Sequence, residues 1–287
     1  TLLPNAGQVP EIAADFAIYA RRQAEEILHD GGLDGGRLVS REGLRITTTL
    51  DLDLYYQVDC ALGFHLARLN NETPPETARD GSPCDTATTL INRAVSASSA
   101  APDQGAVVVI DPVTGEIKAM VGAATRDVYQ PGPTLLPFAY FEGFREQRQD
   151  TQFNPATMLL DIPLRFPGTV ADSIYLPVNP DNQFSGPVSL REAAAIGLVP
   201  PAVEVADNHG MINILRTAHR LGLNTLDQGF YDLSLLARGG NVSVLDVSYA
   251  YSVLATMGDM YGIPTQPQGV GFRNRNPVAV ARIEDAE

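Results

Sequence analysis

Residues 130–144, QPGPTLLPFAYFEGF, constrain the fold of this chain more than any other stretch. Pro131 and Gly132 break the preceding element, and Pro133 suits the first turn of a helix, where an amide hydrogen would have no intrahelical partner. The residues that follow are apolar all round rather than on one face: Leu135, Leu136, Phe138, Ala139, Phe141 and Phe144. Because a helix of this kind is buried, the sequence predicts a central helix that begins near Pro133.

Strand patterns lie on both sides of this helix. Residues 106–124 hold two apolar runs separated by Asp-Pro-Val-Thr-Gly, which predicts a β-hairpin. Residues 44–50 alternate apolar and polar side chains as a strand does, and residues 277–287 begin another strand. Residues 150–187 are rich in proline, and we interpret them as a loop-rich segment.

Helical patterns account for most of the remaining chain. Helices are predicted at 10–29, 193–198, 210–222 and 243–257, and a further one is predicted to begin after Asp51. Asp51 is expected to cap the last of these, whose inward residues are Leu54, Tyr55, Val58, Ala61, Leu62 and Leu66. Ser189 and Glu192 form a capping pair before 193–198, and Ser243 and Asp246 cap 243–257. The glycine-rich residues 31–38 are expected to end the first helix. Strands mixed with buried helices indicate an α/β or α+β core.

Composition excludes several classes of partner. The net charge of −14 and the pI near 4.6 argue against nucleic acid or anionic lipid. No apolar run approaches the roughly 18 residues that a membrane span needs, so we expect any membrane anchor to lie outside this chain. Lys118 is the one lysine among 20 basic residues, so chemistry that needs a lysine has one candidate.

Cys60 and Cys84 border a polar, turn-rich excursion at 70–104, which contains a helix candidate at 87–97. In an oxidising compartment the two cysteines would close a disulfide, and in a reducing one they would be separate thiols. The histidines are scattered and no CxxC or HExxH is present, so the sequence predicts neither a metal site nor a cofactor. We interpret residues 1–104 as an N-terminal region of helices and one short strand, and residues 105–287 as the main domain.

Five separated segments resemble, in the same order, the transpeptidase half of the class A penicillin-binding proteins. They are GLRITTTLDLDLYYQ, QGAVVVIDPVTGEIKAMVG, NPDNQFSGPVSLREA, VPPAVEVA and GGNVSVLDVSYAYSVLATMG. The resemblance implies a penicillin-binding-protein/serine β-lactamase-like fold, an antiparallel sheet flanked by helices, whose last strands would follow residue 287. It also implies that the N-terminal helix joins an upstream glycosyltransferase domain.

Chemistry in that family rests on Ser-x-x-Lys, Ser-x-Asn and Lys-Thr-Gly. The lysine lies one helical turn from the serine and activates it for attack on a D-Ala-D-Ala or β-lactam carbonyl. This chain has Pro133 at the serine position and Leu136 at the lysine position, and Gly197 and Val199 replace the serine and asparagine of the second motif. Neither motif occurs elsewhere in the sequence, and Lys-Thr-Gly would follow residue 287. No catalytic residue is therefore predicted.

Several polar residues near these positions have a simpler explanation. Thr134 is the one hydroxyl in the first turn of the key helix, but no lysine or histidine is near it in sequence, so a capping role is favoured over a nucleophilic one. Tyr129, Asn179, Ser185 and Ser189 could border the cleft and are interpreted as turn and cap residues. Glu142 and Glu146 share one predicted helix face, and we expect both to be solvated.

The leading hypothesis is a catalytically inactive transpeptidase-like domain with a binding or scaffolding role in bacterial peptidoglycan assembly. Its partners would be peptidoglycan stem peptide or cell-wall assembly proteins, on the extracytoplasmic side of a membrane. The first alternative is an active acyltransferase or carboxypeptidase that uses Thr134 or a serine in 170–190. The second is a sensor that binds muropeptide or β-lactam reversibly.

Overall fold

The computed structural model describes residues 12–41, 43–89, 102, 104–122, 128–130, 132–145, 153–168, 173–226, 231–269 and 271–285. Its helices are α1 (Ala14–Asp30), α2 (Gly35–Arg41), α3 (Leu52–Leu69), α4 (Asp85–Thr89), α5 (Leu136–Arg145), α6 (Leu190–Ile196), α7 (Val199–His209), α8 (Met211–Arg220), α9 (Leu235–Arg238) and α10 (Val244–Ala255). A 3₁₀ helix (Gly132–Leu135) leads directly into α5.

The strands are short and pair antiparallel in twos. They are β1 (Arg45–Thr48), β2 (Val107–Ile110), β3 (Ile117–Val121), β4 (Met158–Asp161), β5 (Phe166–Pro167), β6 (Ile174–Tyr175), β7 (Gly186–Ser189), β8 (Ile263–Pro264), β9 (Arg275–Asn276) and β10 (Val280–Glu284). The pairs are β1–β10, β2–β3, β4–β7, β5–β6 and β8–β9. The predicted mixture of helices and antiparallel strands is confirmed.

The chain forms two compact units. Unit 1 consists of 1–127, 251–265 and 275–287, and unit 2 consists of 128–250 and 266–274. The residues of α10 are divided between them. The division of the chain between residues 104 and 105 stays a prediction.

In unit 1 a buried glutamine ties the first helix to the last strand. The side-chain amide of Gln23 donates to Pro277 O at 2.8 Å, and its oxygen accepts from Ala279 N at 2.7 Å and Val280 N at 3.0 Å. Tyr19 Oη also donates to Pro277 O, at 3.3 Å. Helix α1 is therefore part of the core of unit 1.

The polar excursion is closed onto α3 by a disulfide between Cys60 and Cys84. Beside it the side chain of Gln57 donates to Pro83 O at 2.9 Å and accepts from Asp85 N at 2.9 Å. The predicted helix at 87–97 begins earlier, as α4, and residues 90–101 lie outside the described residues.

Unit 2 is built around α5, which packs against α6, α7 and α8. Phe138 and Ala139 are fully buried, as predicted for a central helix. The α-helix begins at Leu136 rather than at Pro133, because the first turn is the 3₁₀ helix. Pro131 lies outside the described residues.

One local prediction is confirmed, and elsewhere regular structure was missed. The interpretation of 150–187 as a loop-rich segment missed β4, β5, β6 and the start of β7, whose prolines lie in or beside very short strands. Residues 31–38 do end α1, but they also start α2. Helix α7 was missed because Pro200 and Pro201 resemble a helix break; they occupy its first turn, where amide hydrogens have no intrahelical partner.

Candidate functional site

The first motif position lies where the chain enters α5. Gly132 has φ +63°, a conformation that favours glycine, and it starts the 3₁₀ helix that contains Pro133 and Thr134. Both side chains are half-buried. Leu136, at the position of the family's lysine, is 2% exposed and belongs to the core of unit 2.

The second motif position lies between α6 and α7. Helix α6 begins with the predicted cap, since Ser189 Oγ accepts from Glu192 N at 3.3 Å, and it ends at Gly197, whose φ is +80°. Leu198 then precedes the first turn of α7. Val199, at the position of the family's asparagine, is 1% exposed.

A buried polar network holds this junction through its main chain. Val199 N donates to Asn179 Oδ1 at 2.8 Å, and Asn179 Nδ2 lies 3.0 Å and 3.1 Å from the carboxylate oxygens of Asp161. Asp161 is fully buried and also accepts from Ser185 N at 2.7 Å. The buried side chains of Asp161 and Asn179 thus find partners in each other and in the amides of Ser185 and Val199, which is what burial of a carboxylate requires.

A tyrosine links the two motif positions. Tyr140 Oη, one turn along α5 from Leu136, donates to Leu198 O at 2.8 Å. Burial raises the pKa of the Tyr140 phenol, and the nearby Asp161 carboxylate raises it further. The structure therefore brings the two predicted motif positions together in unit 2, with Asp161 beside them.

The arrangement offers no nucleophile at the four motif positions. Proline, leucine, glycine and valine have no side-chain group that can attack a carbonyl or accept a proton. Asp161 and Asn179 are engaged in the network, and Ser189 caps α6. Tyr129 pairs through its main chain with Val242. Among the described residues no group of three or more His, Cys, Asp or Glu side chains could hold a metal ion.

One expectation about this helix was wrong. Glu142 is not solvated: it is 1% exposed, its carboxylate accepts from Arg145 Nε at 2.9 Å and Nη2 at 2.8 Å, and it also accepts from the hydroxyl of Thr217. This carboxylate joins α5 to α8, because Thr217 of α8 donates to one of its oxygens while Arg145 of α5 donates to both. Glu146 lies outside the described residues.

Asp161 was missed at the level of sequence. The available signal was its register: in the strand Met158–Asp161, Asp161 shares the inward face with Leu159. A carboxylate on the buried face of a strand is uncommon and indicates a specific partner.

Comparison with known proteins places this geometry in context. No family model matches the chain. Penicillin-binding protein 1A of Neisseria lactamica is 28% identical over 166 residues, which are 54% of this chain and 20% of that protein. Penicillin-binding protein 1A of Pseudomonas aeruginosa is 26% identical over 194 residues, which are 64% of this chain and 21% of that protein. This chain is related to the class A penicillin-binding proteins.

The chain spans about a fifth of the length of these penicillin-binding relatives. Among solved structures, penicillin-binding protein 1A from Haemophilus influenzae matches 96% of this chain and 49% of its own, with a TM-score of 0.66 and 16% identity. The penicillin-binding protein PonA1 from Mycobacterium tuberculosis matches 95% of this chain and 61% of its own, with a TM-score of 0.63 and 17% identity. These likenesses show the fold alone, and they confirm the predicted penicillin-binding-protein transpeptidase fold.

Proposed function

We propose that this chain is a transpeptidase-like domain that forms no acyl-enzyme and serves a binding or scaffolding role in bacterial peptidoglycan assembly. The observation that carries the proposal is the burial of Leu136 and Val199, which are 2% and 1% exposed at the positions of the family's lysine and asparagine. Where the family's chemistry needs polar groups that face a substrate, this chain has hydrocarbon in its core.

The physical consequence is a site that is stable without catalytic groups. A cluster of serine, lysine and asparagine is costly to bury unless every hydrogen bond is made, whereas leucine and valine lose nothing by desolvation. The polar groups that remain, Asp161 and Asn179, bind main-chain and side-chain atoms of the scaffold. Retention of the scaffold without the reactive groups favours binding over turnover.

The proposed partners are peptidoglycan stem peptide or other proteins of cell-wall assembly, with an upstream glycosyltransferase domain as one of them. The relatedness to penicillin-binding protein 1A supports this assignment. A peptidoglycan glycosyltransferase from Burkholderia ambifaria shares the fold over 81% of this chain, with a TM-score of 0.52 and 16% identity.

The proposed location is extracytoplasmic, tethered to the membrane by a segment outside this chain. The disulfide between Cys60 and Cys84 supports it, since such bonds persist in oxidising compartments. Across the part of the chain that the structure describes, no helix has the length and apolar character of a membrane span.

Labelled penicillin tests the proposal. The purified chain is incubated with the reagent, and PonA1 from Mycobacterium tuberculosis, whose structure has been solved in complex with penicillin V, is treated in the same way. The mass of each protein is then measured under native and under denaturing conditions. We expect an adduct on PonA1 and none on this chain. A stoichiometric adduct that Thr134→Ala abolishes would instead establish Thr134 as a nucleophile. Calorimetry with stem peptide then tests the binding role separately.

A further inference from the structure

An open apolar groove lies in unit 1, between α3 and the loop that the disulfide closes. Its volume is about 540 Å³, within the range of binding sites for ligands and side chains. Leu62 and Leu66 of α3 form one wall, Pro75 and Ala78 of the loop form the other, and Val121 lies at its base. None of these residues belongs to the motif positions described above.

At the groove, part of one face of α3 is open to solvent. Leu62 and Leu66 are four residues apart on one face of α3, which the sequence predicts to be inward. In the structure both are only half-buried, whereas Tyr55 and Ala67 of the same helix are buried. Because Leu62 and Leu66 line the groove and stay partly open to solvent, this part of α3 offers an apolar surface to a binding partner.

The wall opposite α3 is held rigidly. The disulfide anchors its end at Cys84, and Arg79 Nε pairs with Asp59 Oδ2 of α3 at 2.8 Å. A Cβ at Gly63 would lie 3.6 Å from Pro75 Cγ, at ordinary contact distance, so α3 and the loop are close together at this point. The groove is thus pre-formed, which lowers the entropic cost of binding.

The loop that forms the second wall of the groove is acidic. The loop that forms the second wall carries Glu72, Glu76 and Asp80, all exposed, and its one basic residue, Arg79, is already paired with Asp59. Hydrogen bonds from the Ser82 hydroxyl and amide hold the pKa of Asp80 below its usual value, so it stays ionised. These exposed carboxylates lie on the same loop as Pro75 and Ala78, so they attract basic partners to this side of the groove and repel acidic ones.

We propose that this groove binds an apolar segment of a partner protein whose flanking residues are basic. The apolar lining selects the centre of the segment, and the exposed carboxylates select its ends. A second copy of this chain fits poorly, since each copy carries a net charge of −14. The same argument excludes a polyanion.

The test uses the full chain and three short fluorescent peptides in an anisotropy titration. The first has a Leu-Ala-Phe-Leu-Ala centre between two pairs of lysines, the second replaces the lysines by glutamates, and the third replaces the leucines and phenylalanine by serine. We expect the first to bind at least tenfold more tightly than either of the others. Equal binding of the basic and acidic peptides would overturn the proposal.

Variants locate the binding. Gly63→Met places a flexible side chain in the groove within a helix that tolerates it, and should weaken binding of the basic peptide at least tenfold. Leu66→Gln is the second variant should that one fold poorly. Glu72→Lys with Glu76→Lys should weaken binding at least threefold at low salt and less at high salt.

The matched control is Asp259→Lys with Asp285→Lys, two exposed carboxylates of the same unit that do not line the groove, and it should bind as the wild type does. A folded Gly63→Met variant with wild-type affinity contradicts the proposal. If the basic peptide bound only after residues 90–101 were deleted, the proposal would also be overturned, because the occupant of the groove would then be a segment of this chain and not a partner protein.

Discussion

The polar contacts that hold the site reach main-chain atoms rather than the side chains at the motif positions. Tyr140 binds Leu198 O, and Asn179 binds Val199 N. Because these acceptors and donors exist whatever residue occupies position 197 or 199, the framework is compatible with loss of the catalytic side chains. Glycine at 197 also fits its φ of +80° without strain.

Tyr140→Phe tests this framework at the scale of one residue. It removes a buried hydrogen bond, so the free energy of unfolding at neutral pH should fall by about 1 kcal/mol. The pKa of Tyr140 is raised in the folded state, so the unfolded chain loses its proton first and stability falls as pH rises above about 10. The variant should therefore lose less stability than the wild type on the alkaline side.

Urea unfolding followed by circular dichroism from about pH 8 to about pH 11 measures both effects. Some alkaline loss should persist in the variant, because burial also raises the pKa of Tyr175 and of Tyr251. Parallel pH profiles for the two proteins would contradict the assignment to Tyr140.

At the scale of elements, the N-terminal helix belongs to the folded unit. The resemblance to penicillin-binding proteins implies that α1 joins an upstream domain, and the structure adds that it packs against β3 and β10. The side-chain oxygen of Gln23 accepts hydrogen bonds from two successive amides, those of Ala279 and Val280, as a neighbouring strand would do. A single side chain thereby completes the hydrogen bonding at the start of β10.

Gln23→Leu should cost roughly 3 kcal/mol of stability, because it leaves the amides of Ala279 and Val280 without their acceptor and removes one of two donors to Pro277 O. Hydrogen exchange gives the local readout: the amides of Ala279 and Val280 should exchange faster than in the wild type. Arg22→Leu, an exposed neighbour on the same helix, is the control and should change neither quantity. Unchanged exchange at both amides would show that α1 is not their partner.

Local signals predicted the elements whose causes are local. Asp51 caps α3, Ser189 caps α6 and Ser243 caps α10, each through an oxygen that binds an amide three residues on. The burial of Glu142 was not predictable, because its partner Thr217 is 75 residues away in sequence. The same holds for Asp161, whose network depends on how separate segments meet.

The motif positions were predicted from the sequence, and their burial was not. The identity of Pro133 and Leu136 is read directly, but the packing of Leu136 into the core depends on α6, α7 and α8 folding around α5. The strands at 166–167 and 174–175 were missed because two residues carry too little periodicity to detect.

At the scale of the whole molecule, an acidic chain with one disulfide carries its apolar groove beside that bond. Closing residues 60–84 restricts the unfolded chain and at the same time fixes the second wall of the groove. Stability and the proposed binding surface therefore depend on the same covalent link. Both properties should respond together to the redox state of the solution.

Reduction of the disulfide should lower the free energy of unfolding by roughly 3 kcal/mol, the entropy expected for a loop of this length. Denaturant unfolding with and without a thiol reductant measures the loss, and alkylation of the freed thiols confirms that reduction occurred. The variant Cys60→Ala with Cys84→Ala should match the reduced protein and show no response to reductant. If fully reduced wild type were as stable as oxidised protein, the bond would contribute nothing to the fold, and its support for an oxidising compartment would be lost.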